Sequence, residues 1–303
     1  MSFPGDFREH ILPESLESIS LSFLVTSMVK RRGGIAPNIA YTLALLGGQA
    51  QIFGTVGEDF NDYRQWLEER GVDTTYARVV PGKFTASWFA TTDLKNAQLA
   101  SFYPGAMEDA ATLSLDDVIQ KPDLVMVSPN DPAAMDKVIR ESKALGIEYA
   151  YDPSQQVVRV DGNTLRTGLD GATALFVNEY EFELIQKKTG FSADDIIQHV
   201  KFAVVTRGPK GASVYAEGKT FDVKAIDTDK TMEPTGSGDA FRGGFLTGYR
   251  RGWDWTLCAE MGSMAATYCL ESEGPQGHAY TPAEFVERFR MHFDDGGILN
   301  DLL

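Results

Sequence analysis

Residues 233–245 read EPTGSGDAFRGGF, and the residue types and spacing there are those of an anion site with a base beside it. The run TGSG is too rich in glycine to be a stable helix, yet it can present successive backbone N–H groups in a concave nest. Behind it, AFRGGFLTGYRRG carries Phe241, Phe245 and Tyr249 at four-residue steps, the spacing of one apolar helix face. The start of that helix adds its positive end to the nest, which favours an anion. Asp239 then stands at the rim. A carboxylate beside an anion is costly unless it has work to do, and accepting a proton from an attacking hydroxyl is such work. The plainer reading, a carboxylate that caps the helix and meets its dipole, is left equally open by the residue types alone.

Elements that would position such a site are readable along the chain. Short apolar runs at 50–56, 123–128, 148–152, 174–178 and 202–208 alternate with helical patterns in FNDYRQWLEERG, DPAAMDKVIRESKALG and NEYEFELIQKKTG. Strands alternating with helices imply crossover units and a mostly parallel sheet covered on both faces. Between Val72 and Tyr103 the texture changes: FTASWFATT and AQLASFY flank a turn-like DLKN, so a small antiparallel sheet is expected to project as a flap. A further hairpin, ASVYAEGKTFDVKAI, has its turn at Glu217-Gly218.

The 303 residues suffice for one large domain with an ample core, and neither an internal repeat nor a linker divides them. A net charge of −15 argues against a general nucleic-acid or anionic-membrane surface. Cys258 and Cys269 fall on one expected helix about 16 Å apart, beyond disulfide reach, and read as buried thiols of a reducing compartment. No signal peptide opens the chain. The charge-free stretch from Gly33 to Gly57 contains Pro37, Asn38, Gln49, Gln51 and a glycine pair, and reads as helix, turn and strand rather than a membrane span. The localisation expected is cytoplasmic.

Two separated stretches carry a family resemblance. EPTGSGDAFRGGFLTG resembles the second signature of the ribokinase-like, or phosphofructokinase B, carbohydrate kinases, and GGIAPNIAYTLALLGGQAQIFGTVGEDF (33–60) resembles the first. NEYE at 178–181 matches the family's N-x-x-E, and VVTRGPKGA its nucleotide-binding strand and turn. The Pro before TGSGD, Arg242 after the Asp and the late GPQGHAYTPAEF are most similar to the bacterial adenosine-kinase-like branch. The resemblance implies a single α/β domain, a three-layer α/β/α fold with a mostly parallel central sheet and a small β lid formed mainly by residues 12–30 and 72–103.

The implied activity is transfer of the γ-phosphoryl group of ATP to a primary hydroxyl of a ribose-containing acceptor, adenosine first and a ribose-type sugar second. Asp239 would be the base, with the amides of Gly236, Ser237 and Gly238 holding developing charge. Gly33, Gly34 and Asn38 would meet the acceptor, because glycines allow close approach and an amide can bond two hydroxyls. Phe102 and Tyr103, at the end of the flap, would stack on a base or sugar, although packing within the flap accounts for them as well. Asn178, Thr206, Arg207, Gly208 and Gly211 would line the ATP site, Lys210 adding charge beside it. Asn178 and Glu181, one turn apart, would orient water around Mg2+, against the plainer reading of an acid-rich helix start. A monovalent cation and a homodimer through the lid are arrangements that the resemblance also allows.

Other patterns lead nowhere. Glu217-Gly218-Lys219-Thr220 looks like the tail of a P-loop, but the first glycine would be at position 213, which is Ser213. No dinucleotide fingerprint follows a strand, and His10, His199, His278 and His292 have no metal-ligand spacing. The family normally opens with a buried strand ending in an Asp that binds sugar hydroxyls. MSFPGDFREHILP has no such run, and Asp6 after Pro and Gly does not fit the role. The expectation is therefore a missing first strand, an exposed sheet edge and a catalytically weak nucleoside- or nucleotide-binding protein as the rival reading.

Overall fold

A computed structural model describes residues 1–10, 21–95 and 97–303. In chain order the helices are α1 (Phe7–His10), α2 (Ile35–Leu45), α3 (Asn61–Glu68), α4 (Pro132–Leu145), α5 (Gly162–Leu169), α6 (Glu179–Thr189), α7 (Ala193–His199), α8 (Ser237–Arg250), α9 (Trp255–Leu270) and α10 (Pro282–Phe289). The strands are β1 (Ala50–Val56), β2 (Val72–Val79), β3 (Ser87–Thr92), β4 (Gln98–Tyr103), β5 (Leu124–Val127), β6 (Glu148–Tyr151), β7 (Ala174–Asn178), β8 (Phe202–Thr206), β9 (Ala212–Ala216) and β10 (Lys219–Val223).

Six strands form the main sheet in the order β10-β9-β8-β7-β6-β5, with β5 to β8 parallel and β9 and β10 antiparallel. Period-two alternation divides each central strand between two cores. Leu175 and Val177 of β7 face Met135, Ile139, Leu165 and Ile185 of α4 to α6, whereas Ala174 and Phe176 face Phe241 and Phe245 of α8. The result is the three-layer α/β/α body, with helix ends set by local chemistry. Asp131 caps α4 by accepting from the Ala134 amide at 3.1 Å, Pro132 opens it, and Gly146 ends it with φ 60°.

The sheet is not continuous. β1 pairs in parallel with β2 in a two-stranded sheet of its own, and among the described residues no strand joins β1 to β5. Helix α2 spans the two parts, because Ile39 belongs to the core under the main sheet while its neighbour Ala40 packs with Ile52, Val56 and Val72. On β5, Leu124, Val125 and Met126 remain half-buried. The pairing of β2 with β1 removes residues 72–79 from the expected lid, whose antiparallel hairpin consists of β3 and β4. Beside that hairpin run residues 1–8, bridged through Ser2 to Ser27 and Thr92, with Phe3, Phe7 and Phe23 in mutual ring contact. Of the other expected lid segment, residues 12–20 lie outside the described residues. Asp6 accepts from Lys95 at 2.5 Å within this lid region.

Candidate active site

The turn before α8 takes the form its glycines allow. Gly236 has φ 86°, and a Cβ there would lie 2.4 Å from Pro275 Cβ, so both the backbone angle and the close approach of the 274–278 loop require glycine. Ser237 opens the helix, and its amide and hydroxyl both donate to Pro234 O, at 3.2 and 2.9 Å. Of the three amides assigned to developing charge, that of Ser237 is therefore already engaged within the turn. Ala240 N makes the first helical bond, to Gly236 O, which leaves the Gly238 and Asp239 amides among the open donors of the first turn.

Asp239 does not cap α8. Its Oδ2 accepts from Asn38 Nδ2 of α2 at 2.8 Å, a contact across 201 residues of sequence. Asn38 is buried, and its Oδ1 accepts from Gln276 Nε2 at 2.9 Å, which fixes the amide with its donor toward Asp239. Gln276 Nε2 also reaches Tyr63 OH at 2.6 Å, and Tyr63 donates to Gly33 O at 3.0 Å. Gly33, Asn38 and Asp239, read from separate stretches, thus share one hydrogen-bonded chain. Gly34, with φ 105°, is the N-cap of α2.

The electrostatics of this corner are those of a crowded acid pocket. Burial pushes the Asp239 carboxyl above its ordinary range, with Glu181 adding to the effect, while Arg242 and the Asn38 hydrogen bond oppose it. Asp152, at the carboxyl end of β6, is fully buried, pushed up to about 7 by desolvation, and accepts from Arg242 Nη2 at 2.8 Å. Gln276 Oε1, Asp152 Oδ2 and Arg242 Nε are buried without hydrogen-bond partners.

The expected nucleotide residues gather at the carboxyl ends of β7 and β8, where Asn178 and Thr206 are register partners. Asn178 and Glu181 form a reciprocal capping box: Asn178 Oδ1 accepts from the Glu181 amide at 2.8 Å and Glu181 Oε2 from the Asn178 amide at 2.9 Å. Gly208 (φ 55°) and Gly211 (φ 92°) shape the turn, and a Cβ on Gly211 would overlap Val223 O. Arg207 is committed to Asp222 at 2.9 Å, and Lys210 lies 3.7 Å from Glu179. Among the described residues no group of three or more His, Cys, Asp or Glu could hold a metal ion. Glu233, beside the turn, accepts from the Gly274 amide at 3.1 Å, so it ties the 274–278 loop down. Phe102 and Tyr103 lie exposed on β4, Phe102 opposite Trp88 in the lid hairpin, and neither is in the Asp239 network.

With this geometry in view, comparison with known proteins is decisive. Residues 10–282 match the pfkB family carbohydrate kinase profile. The chain belongs to this family. As a pfkB kinase it is a phosphotransferase with an alcohol acceptor, and the ribokinase-like fold is that of its relatives. A nucleoside kinase of Burkholderia thailandensis, solved in complex with inosine, superposes with a TM-score of 0.87 at 36% identity, covering 97% of this chain and 94% of that one. The same protein in complex with ADP-inosine gives a TM-score of 0.84 at 38% identity, covering 97% and 92%. The nucleoside kinase of Methanothermobacter thermautotrophicus is 30% identical over 276 residues, 88% of this chain and 87% of that protein. That of Methanocaldococcus jannaschii is 27% identical over 281 residues, 92% of each.

Four residues of this candidate site, Tyr63, Asp152, Arg242 and Gln276, are not placed there by sequence reasoning. Arg242 and the GPQGH stretch stood out only as branch markers. Asp152 was legible as the residue ending an apolar strand, but Tyr63 had no signal beyond its helix. No described helix is long and apolar enough to cross a membrane.

Proposed function

We propose that the chain transfers the γ-phosphoryl group of ATP to the primary ribose hydroxyl of a nucleoside, adenosine or another purine nucleoside before a free sugar. The observation that carries this reading is the Asn38–Asp239 hydrogen bond at the mouth of the glycine turn, at 2.8 Å. It sets a carboxylate between the residues read as meeting the acceptor, Gly33, Gly34 and Asn38, and the positive end of α8. In this reading Asp239 accepts the proton of the attacking hydroxyl while Asn38 holds the carboxylate in place. The open amides of the first turn, Gly238 foremost, then face charge that develops on the transferred group. The relatives' names and their inosine and ADP-inosine complexes support a nucleoside acceptor and an adenine nucleotide donor.

Mg2+ fits as a water-held ion: the capping box uses the Asn178 side-chain oxygen and one Glu181 oxygen, leaving Glu181 Oε1 to orient a metal-bound water. When bound, the ion supplies neutralisation of phosphate charge. Thr206, Gly208 and Gly211 would shape the nucleotide pocket, with Arg207 and Lys210 at its edge. The exposed Trp88, Phe89, Phe102 and Tyr103 of the lid support either stacking on the acceptor or a homodimer through the lid. Light scattering of the intact chain against a Trp88→Ser, Phe102→Ser variant separates the two, since only a dimer would change mass.

A second reading, a protein that binds nucleoside and nucleotide but turns over weakly, is favoured by the parted sheet between β1 and β5. Coupled detection of ADP across adenosine, inosine, cytidine and free ribose decides between them. Turnover fastest with a purine nucleoside supports the first reading, fastest with ribose a sugar kinase, and nucleotide binding without turnover the second.

A further inference from the structure

The buried pair of Asp152 and Arg242 has no part in the scheme above, and stability alone does not account for it. Arg242 is 7% exposed and Asp152 0%. Withdrawing two ions from water costs several kcal/mol each, which attraction offsets only where every remaining polar atom is bonded. Here Arg242 Nε and Asp152 Oδ2 have no partner. Apolar residues would fill the same volume at less cost.

Position supplies the missing reason. Arg242 lies three residues after Asp239 on α8, a spacing that puts both on one helix face. Its guanidinium runs beneath the glycine turn, since a Cβ on Gly238 would come within 2.9 Å of Arg242 Nη1. Several elements bring groups to bear on Asp239. Helix α2 gives the Asn38 amide, α6 the Glu181 carboxylate, α9 the Cys269 thiol and the end of β6 the Asp152 carboxylate. Burial and Glu181 favour the neutral acid, and among the described residues Arg242 is the cation that opposes them. A base in this corner stays ionised only if that positive charge is held close, and the Asp152 bond holds it.

We propose that Arg242, fixed by Asp152, is a positioning residue that keeps Asp239 ionised as the general base. The proposal rests on Asp239 being the base and adds to it the group that sets the pH at which the base works. A second consequence follows from the geometry: the guanidinium contributes through its charge, so a lysine retains its effect and an isosteric neutral residue does not.

The test is the pH profile of kcat/KM for nucleoside phosphorylation, which reports the ionisation of the free enzyme. A neighbouring opposite charge lowers a carboxyl pKa by roughly 1–3 units, so Arg242→Met moves the acidic limb up by an amount of that order. Arg242→Lys leaves the limb near that of the parent. Asp152→Asn, which keeps an oxygen for the guanidinium but removes a neighbouring carboxylate, lowers the limb or leaves it in place. An Arg242→Met enzyme with uniformly reduced activity and an unmoved limb overturns the proposal, as does a lysine variant displaced as far as the methionine one. Should Arg242→Met fail to fold, the neutral Arg242→Gln takes its place: a raised limb supports the proposal and an unmoved limb overturns it. Asp239→Asn distinguishes the layers. If that variant retains turnover, the base assignment itself fails; if it loses turnover while Arg242→Met keeps the parental limb, the present proposal alone fails.

Discussion

Asn38 uses both ends of its amide, one on Gln276 and one on Asp239, and that arrangement determines what each neighbour contributes. Gln276→Leu leaves Asn38 Oδ1 and Tyr63 OH without their donor in a buried corner. A lost hydrogen bond of this kind is worth about 1–1.5 kcal/mol, so the expected result is a roughly tenfold rise in KM for the acceptor with a smaller change in kcat. Initial-rate kinetics over a range of nucleoside concentration check this. The residue types of the site were legible where the chain writes them contiguously, as in TGSGD with its glycines and carboxylate. They were not legible where partners meet only through the fold: Gln276 reaches Asn38 across 238 residues and Tyr63 across 213. No local spacing encodes such contacts.

At the scale of elements, the site is held by how closely α2 and α8 approach. A Cβ on Gly243 would lie 2.7 Å from Thr42 Cβ and 2.9 Å from Ile39 O, so this glycine lets the two helices touch. Gly243→Ala must push α2 away and draw Asn38 from Asp239. Overpacking of that kind costs about 1–3 kcal/mol, read as a fall in Tm. Misplacement near 1 Å costs up to about 100-fold in kcat, so activity falls further than stability. The strands and helices of the body were readable because apolar runs and amphipathic periods alternate, and because Gly146 and Gly190 end α4 and α6 as left-handed caps. The hairpin turn at Glu217-Gly218, with φ 55° and 69°, was readable for the same local reason. Strand pairing was not: β2 has the same composition whether it joins the lid or, as here, β1. The register of distant strands depends on which edges the fold leaves open.

For the whole molecule, buried acids shape the pH dependence of stability, and two of them act in opposite directions. Asp152, pushed up to about 7 from 3.8, binds its proton more tightly in the folded state. Its contribution is fully present below 3.8 and is lost as pH rises through about 7. Asp295, held down to about 2 chiefly by Arg290, contributes above 3.8 and loses that contribution as pH falls toward 2. The Tm measured by calorimetry should therefore decline from mildly acidic to neutral pH, and Asp152→Asn should flatten that decline without altering the loss at low pH. The net charge of −15, which argues against a general nucleic-acid surface at the level of composition, would leave an anion at the glycine turn to be held by local amides. The measurement that bears most directly on the whole account is kcat for Asp239→Asn, with nucleoside affinity followed in parallel by calorimetry. A fall of about 10²- to 10⁴-fold in kcat at nearly unchanged affinity is the result expected if Asp239 takes the hydroxyl proton. A variant that keeps most of its kcat would contradict it.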